Sequence, residues 1–154
     1  MDRECWQRQV AERYAHVLRG LYAVAGQRER AEDALHDALL DALAPGVIER
    51  IERADAWLYT VAVRKLRRGV LRERFERLLR ANTAVHPEPS LAGVEALEFL
   101  KELTPRQREL VVARYYLDLS FKEIAEQFGI TVGAATSTVS QALSRLRTST
   151  KDAT

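Results

Sequence analysis

"SFKEIAEQFGITVGAATSTVSQALSRLR", residues 120–147, reads as two short helices around a tight turn. Ser120 and Glu123 stand three apart just ahead of an apolar run, the capping-box spacing that satisfies orphan amides in a helix's first turn. Ile124, Ala125 and Phe128 then share one face, and Gly129 supplies the left-handed residue that ends the helix before Ile130 opens the turn. A second helix is expected from about Gly133 to Arg147. Its inward face is Ala135, Val139, Ala142, Leu143 and Leu146, which leaves Thr136, Ser137, Thr138, Gln141 and Arg145 for the outside. Two amphipathic helices with the spacing Ala125, Gly129, Ala135 define a helix-turn-helix, whose second helix enters a DNA groove in proteins that use it. That outer face is polar and nearly uncharged, unusual for a surface that would meet phosphate.

Working upstream, "LTPRQRELVVARYY" (103–116) starts another helix. Thr104 is its cap, Pro105 takes the first helical position and Gln107 completes a capping box. A short helix with Leu91, Val94, Leu97 and Leu100 precedes it. Before that, "ANTAVHPEPS" (81–90) holds two prolines and no periodicity, and reads as a linker.

The front of the chain is also helical. One apolar stripe runs through Trp6, Val10, Tyr14, Val17, Leu18 and Leu21, and a second through Ala31, Ala34, Leu35, Ala38, Leu39 and Leu43. "APGV" (44–47) breaks the pattern. Residues from Ala54 to about Leu79 resume it with Trp57, Leu58, Val61, Ala62, Leu66, Phe75 and Leu78. The expected fold is therefore all-α: two small helical domains, at about 1–80 and 91–150, joined by the 81–90 linker, the second containing the helix-turn-helix.

Composition narrows the function. In 154 residues, 47% are hydrophobic, enough for a core in each domain. The 24 basic and 22 acidic residues nearly cancel, so distribution matters more than net charge. Eight cations crowd into 64–80 (Arg64, Lys65, Arg67, Arg68, Arg72, Arg74, Arg77, Arg80) against Glu73 and Glu76, whereas 1–63 carries more acids than bases. Cys5 is the one cysteine and cannot form an internal disulfide. No apolar run approaches the ~20 residues that span a bilayer, and the charged start is unlike a secretory leader; a cytoplasmic protein without membrane insertion is expected. His16, His36 and His86 are widely separated, with no HExxH, glycine-rich phosphate loop or nucleophile elbow. No catalytic group, metal site or cofactor is expected, and the chain does not read as an enzyme.

Three stretches together resemble the bacterial RNA polymerase sigma factors of the compact extracytoplasmic-function (ECF) group: "RAEDALHDALLDAL" (30–43), "DAWLYTVAVRKLRR" (55–68) and "LTPRQRELVVARYYLDLSFKEIAEQFGITVGAATSTVSQALSRLR" (103–147). The resemblance implies an alternative sigma factor that binds core RNA polymerase and directs promoter-specific transcription initiation. In that family, the first stretch lies in region 2 and docks on the polymerase clamp, here through Glu32, Asp33, His36, Asp37 and Leu40. The second engages the promoter −10 element, here through Arg64, Lys65, Arg67 and Arg68, with Trp57 and Tyr59 as aromatic neighbours. The residue pattern agrees, because cations on one helix beside aromatic rings can hold a strand by its phosphates while ring faces meet unstacked bases. Trp57 also lies in register with Leu58 and Val61, which equally suits a core position. The third stretch resembles region 4, which reads the −35 element; Thr136, Ser137, Thr138 and Gln141 would face bases, with Arg106, Arg108, Lys122, Arg145 and Arg147 around the edge.

The chain departs from the family pattern at informative places. Family members commonly have Gln-Glu at His36 and Asp37, and Asn at Arg64. They usually read Gly-Thr-Val-Lys-Ser-Arg across Gly133 to Thr138 and Arg at Gln141, so three expected cations are absent. Each lost phosphate contact flattens the salt dependence of binding by about one unit of slope. Gln suits adenine and the Thr methyl suits thymine, so the helix either reads an adenine- or thymine-rich element or faces a protein partner such as an anti-sigma factor or an activator. A third alternative, a dimeric regulator of the LuxR type, shares "LTPRQRE"-like and "KEIAE"-like stretches but not "ARYYLDLS" or the 30–68 pattern.

Overall fold

The computed structural model describes the backbone of residues 1–79 and 95–152, and side chains over 1–69 and 98–152. The linker, the expected positions Leu91, Val94 and Leu97, His86 and the cations beyond Arg68 in the 64–80 run lie outside the described side chains.

Helix α1 (Arg3–Ala25) starts where the Asp2 carboxylate accepts from the Cys5 amide at 2.8 Å and stops at Gly26 (φ 74°), whose N–H donates to the Tyr22 carbonyl at 2.8 Å. Helix α2 (Arg28–Ala42) folds back at once. A 3₁₀ turn, Ile48–Arg50, leads into α3 (Ala54–Leu79). Val17 and Leu21 of α1, Ala31, Leu35 and Ala38 of α2, and Leu58 and Ala62 of α3 fill the space between these three helices. Ala31, Ala34, Ala38 and Ala42 are buried, whereas the longer Leu40 and Leu43 stand on the outside.

The second half contains α4 (Glu95–Leu100), α5 (Pro105–Val111), α6 (Phe121–Phe128) and α7 (Val132–Asp152). Both expected capping boxes form: Thr104 with Gln107, and Ser120 with Glu123. Gly129 ends α6 in the left-handed conformation (φ 65°). The Thr131 hydroxyl accepts from the Ala134 amide at 3.0 Å, so α7 begins one residue before Gly133 and continues past Arg147. Between α5 and α6 the chain widens into a π-helical turn, Val112–Tyr116, closed by a Leu117 N–H to Val112 carbonyl bond of 3.1 Å. Asp118, at φ 54°, then reverses the chain in a conformation that aspartate tolerates better than most residues.

The two halves are packed on each other. One buried apolar cluster runs without interruption from Val17, Leu21, Tyr59 and Val63 to Leu110, Val112, Ala113, Leu117 and Ile124. A smaller cluster of Leu103, Val111 and Ala142 stays within the second half. The α1 surface carries a glycine where the π turn meets it. A Cβ built on Gly20 would stand 3.1 Å from Cδ1 and 3.2 Å from Cε1 of Tyr116. His16 stacks on the same ring at 4.2 Å, and its Nε2 lies 3.0 Å from the Tyr116 carbonyl oxygen.

Gly20→Leu is therefore expected to wedge the halves apart while each keeps its helices. Small-angle scattering should show a larger radius of gyration with unchanged far-UV circular dichroism, and the closed arrangement should lose about 1–3 kcal/mol in a urea titration.

Candidate nucleic-acid interface

Two of the four described cations of α3, Arg64 and Arg67, reach the second half. Arg64 donates to the Gln127 carbonyl at 3.0 Å, Lys65 pairs with Asp41 at 2.7 Å, and Arg68 is exposed. Arg67 presents its fork to Glu109: Nε lies 2.8 Å from Oε1, and Nη2 bonds Oε2. Glu109 is only 2% exposed, and Arg106 adds a second cation at 3.6 Å while lying over the Phe128 ring at 5.1 Å.

The aromatic residues sit deeper than a base-stacking surface requires. Tyr59, in register with Ala56, Ala62 and Val63, is fully buried, and its hydroxyl donates to the Glu109 carbonyl at 2.6 Å. Burial, reinforced by the Glu109 charge and opposed by Arg67, pushes its phenol well above the usual range, so it acts as a neutral donor. Trp57 is half-buried with its ring edge-to-face on Trp6, centroids 6.0 Å apart. In this packed arrangement Tyr59 is closed to a nucleobase, and Trp57 is partly covered by Trp6 of α1.

A second polar cluster lies at the start of α3. Asp55 is buried and accepts from Arg53 Nε at 2.8 Å, Arg13 Nη2 at 3.2 Å and the Ala56 amide at 2.9 Å. Arg53 continues across to Glu123 at 3.1 Å and to the Leu117 carbonyl at 2.8 Å. Burial works to raise the Asp55 carboxyl, but Arg53, the Ala56 amide and Arg13 hold it below the ordinary range. The Ser120 amide, with help from Arg53 and against slight burial, lowers Glu123 likewise.

The helix-turn-helix face lies apart from these clusters. Thr136, Ser137, Gln141, Arg145 and Arg147 are exposed, as is Lys122 on α6, whereas Thr138 is half-buried. The Thr136 hydroxyl donates back to the Val132 carbonyl at 2.8 Å, leaving its methyl and its acceptor capacity outward. Arg145 Nη1 lies 3.5 Å from the Gln107 side-chain oxygen. Arg108 is placed differently from its expected edge position: it is half-buried and donates to the carbonyls of Leu100, Val24 and Leu103 at 2.9, 3.1 and 3.3 Å. It clamps the end of α1 to the second half.

On α2, Asp33, His36 and Asp37 are exposed around Leu40, itself 65% exposed. Glu32 is partly covered and pairs with Arg28 at 2.9 Å, and His36 Nε2 lies 3.4 Å from the Tyr14 hydroxyl. Among the described residues, no cluster of His, Cys, Asp or Glu is placed to hold a metal ion, and no helix is long and apolar enough to cross a membrane.

Sequence reasoning missed Glu109, Glu123, Arg53 and Asp55 as structural partners. Glu109 carried a signal: it precedes the apolar run Leu110–Ala113 and shares a helical face with Val112 and Ala113, so a carboxylate there needs a buried cation.

Comparison with known proteins agrees with this architecture. Residues 94–146 match the model of the family "Sigma-70, region 4". The RNA polymerase sigma-E factor of Streptomyces coelicolor is 31% identical over 150 residues, covering 90% of this chain and 81% of the relative. That of Streptomyces avermitilis is 28% identical over 149 residues, covering 90% and 80%. In fold, the chain is similar to the sigma factor RpoE of Bartonella quintana, solved in complex with the anti-sigma factor NepR, with a TM-score of 0.75, 23% identity and coverage of 96% of this chain and 98% of that one. The chain belongs to the extracytoplasmic-function sigma factors, alternative sigma factors that direct transcription initiation.

Asp55 and Glu123 are both depressed in the folded chain, so the stability they contribute is fully present above the unfolded-state values near pH 4 and is lost as pH falls through the lower folded values. Thermal melts should show a Tm that drops on acidification below about pH 4, and Asp55→Asn should flatten that drop.

Proposed function

We propose that the front half, residues 1–80, docks on core RNA polymerase and holds the −10 strand, and that residues 91–150 read the −35 element. The supporting observation for docking is Leu40, a large apolar side chain standing in water on α2 with Asp33, His36 and Asp37 around it. Such a strip fits a basic partner helix with an apolar seam. Glu32 flanks the strip through its pair with Arg28.

For strand capture, Arg64, Lys65, Arg67 and Arg68 supply four cations within about a turn and a half of α3. Tyr59 would reach bases only after the second half moves off α3, because its hydroxyl is held by the Glu109 carbonyl; Trp57 is half-buried against Trp6 of α1. Thr136, Ser137 and Gln141 present the base-reading face of α7, Thr138 lies at its margin, and Lys122, Arg145 and Arg147 flank it, whereas Arg106 is engaged with Glu109 and Phe128. Arg108 belongs to the packing of the halves instead. The work is done by binding energy, without covalent chemistry, in the cytoplasm where polymerase and promoter are found.

A regulatory protein is a further proposed partner. The uncharged exposed face of α7 supports this second reading, because desolvating few cations makes protein contact cheaper. The solved relative from Bartonella, which carries an anti-sigma factor, supports it as well.

Reconstituted holoenzyme should give run-off transcripts from a pool of genomic promoter fragments; core enzyme that fails to bind the chain would sink the reading. Asp33→Ala with Asp37→Ala should weaken binding to core enzyme about tenfold, roughly 1.4 kcal/mol, without lowering Tm. Introducing lysine at Thr136 and arginine at Thr138 should raise non-specific DNA affinity and steepen its salt dependence by up to about two units of log–log slope. Unchanged slope in a fluorescence titration would show that this face does not meet phosphate and would favour the protein-partner reading.

A further inference from the structure

Part of the α3 face assigned above to the −10 strand is engaged by the other half of the same chain, while Lys65 pairs with Asp41 and Arg68 is exposed. Tyr59, Arg64 and Arg67 all take partners in that other half: the Glu109 carbonyl, the Gln127 carbonyl and the Glu109 carboxylate. The engagement is through specific partners rather than full coverage: Arg64, Arg67 and Arg68 keep exposed surface, as do Thr136, Ser137, Gln141 and Arg145 on the duplex-reading face.

The chemistry of the covering group is specific too. Both Glu109 oxygens engage Arg67, the forked pairing by which a guanidinium also holds a phosphate. An apolar seam of Val17 and Leu21 with Val112 and Ala113 already joins the halves. Against that seam a buried carboxylate adds a desolvation cost that another leucine would not. What it adds in return is a contact that another anion can replace, and Arg67, with 43% of its side chain exposed, is within reach of one.

We propose that Glu109 is an intramolecular stand-in for a DNA backbone phosphate: it holds Arg67 in the unbound chain and yields it to the strand. The inference rests on the reading of α3 as the strand-holding face. Glu109 and a phosphate cannot occupy the same fork together, so closure weakens strand binding by the factor by which the strand weakens closure. The free sigma factor is thereby kept from single strands, while its duplex-reading face stays available.

The test uses the full chain, a fluorescently labelled single-stranded deoxyoligonucleotide and core RNA polymerase. Glu109→Gln keeps the shape and removes the charge. It should bind the oligonucleotide at least about fivefold more tightly than wild type and show a larger radius of gyration, with far-UV circular dichroism unchanged. Its holoenzyme should transcribe within about twofold of wild type, since Glu109 has no part in the open, DNA-bound form. A folded Glu109→Gln chain that binds no more tightly overturns the proposal. Should that variant fail to fold, wild type decides: hydrogen exchange in α5 must accelerate when the oligonucleotide binds, and unchanged exchange in the complex overturns the proposal. Failure of both proteins to bind the oligonucleotide overturns the strand-holding reading and the inference with it, whereas a wild-type holoenzyme that transcribes beside an unresponsive Glu109→Gln removes the inference alone.

Discussion

A carboxylate sealed from water must meet a cation, and Glu109 can meet Arg67 only if the two halves of the chain close on each other. An isolated charge in that position carries a desolvation cost of several kcal/mol, so removing one partner of such a pair typically costs about 3–5 kcal/mol. Much of the closed arrangement follows from satisfying it. The helix carrying Glu109 is drawn over α3, its backbone carbonyl reaches the Tyr59 hydroxyl, and Arg106 and Phe128 close the side of the pocket.

The second polar cluster gives the closure a direction. Arg53 stands at the beginning of α3 and Arg67 fourteen residues later, roughly 20 Å along the helix axis. The first reaches Glu123 and the Leu117 carbonyl and the second reaches Glu109, so α5 and α6 are pinned to α3 at two separated points. Two pins oppose rotation, which the apolar seam alone would resist only through shape. Arg108, clamped on Val24 at the end of α1, adds a third point on a different helix.

The parts of this fold that could be read from the sequence are those decided within a few residues. Capping boxes at Thr104 and Ser120, the stop at Gly129 and most of the apolar stripes of α1 and α2 depend on neighbours three or four positions away and stand where the pattern puts them. Leu43, just past the end of α2, is the exception: it is exposed instead of joining the core. The exposed strip on α2 was legible for the same reason. The partners of Arg67, Arg53 and Arg108 were not, because they lie 42 to 84 positions away for the pairs with Glu109, Glu123 and Val24. Nothing local chooses among the many arginines for one carboxylate. Tyr59 shows the same limit: its neighbours in sequence made it an aromatic among cations, while its helical register with Ala56, Ala62 and Val63 placed it inside.

The π-helical turn at Val112–Tyr116 lets the chain accommodate more residues than an α-turn before Asp118 reverses it, with Leu119 bonded back to Ala113 at 3.0 Å. Segment length there is consequently part of the architecture. Deleting a single residue between Val112 and Leu119 would remove the extra residue the wide turn holds and break the Leu117–Val112 and Leu119–Ala113 closures that set where α6 begins. Natural variants of this chain should tolerate substitutions in the segment far better than changes in its length.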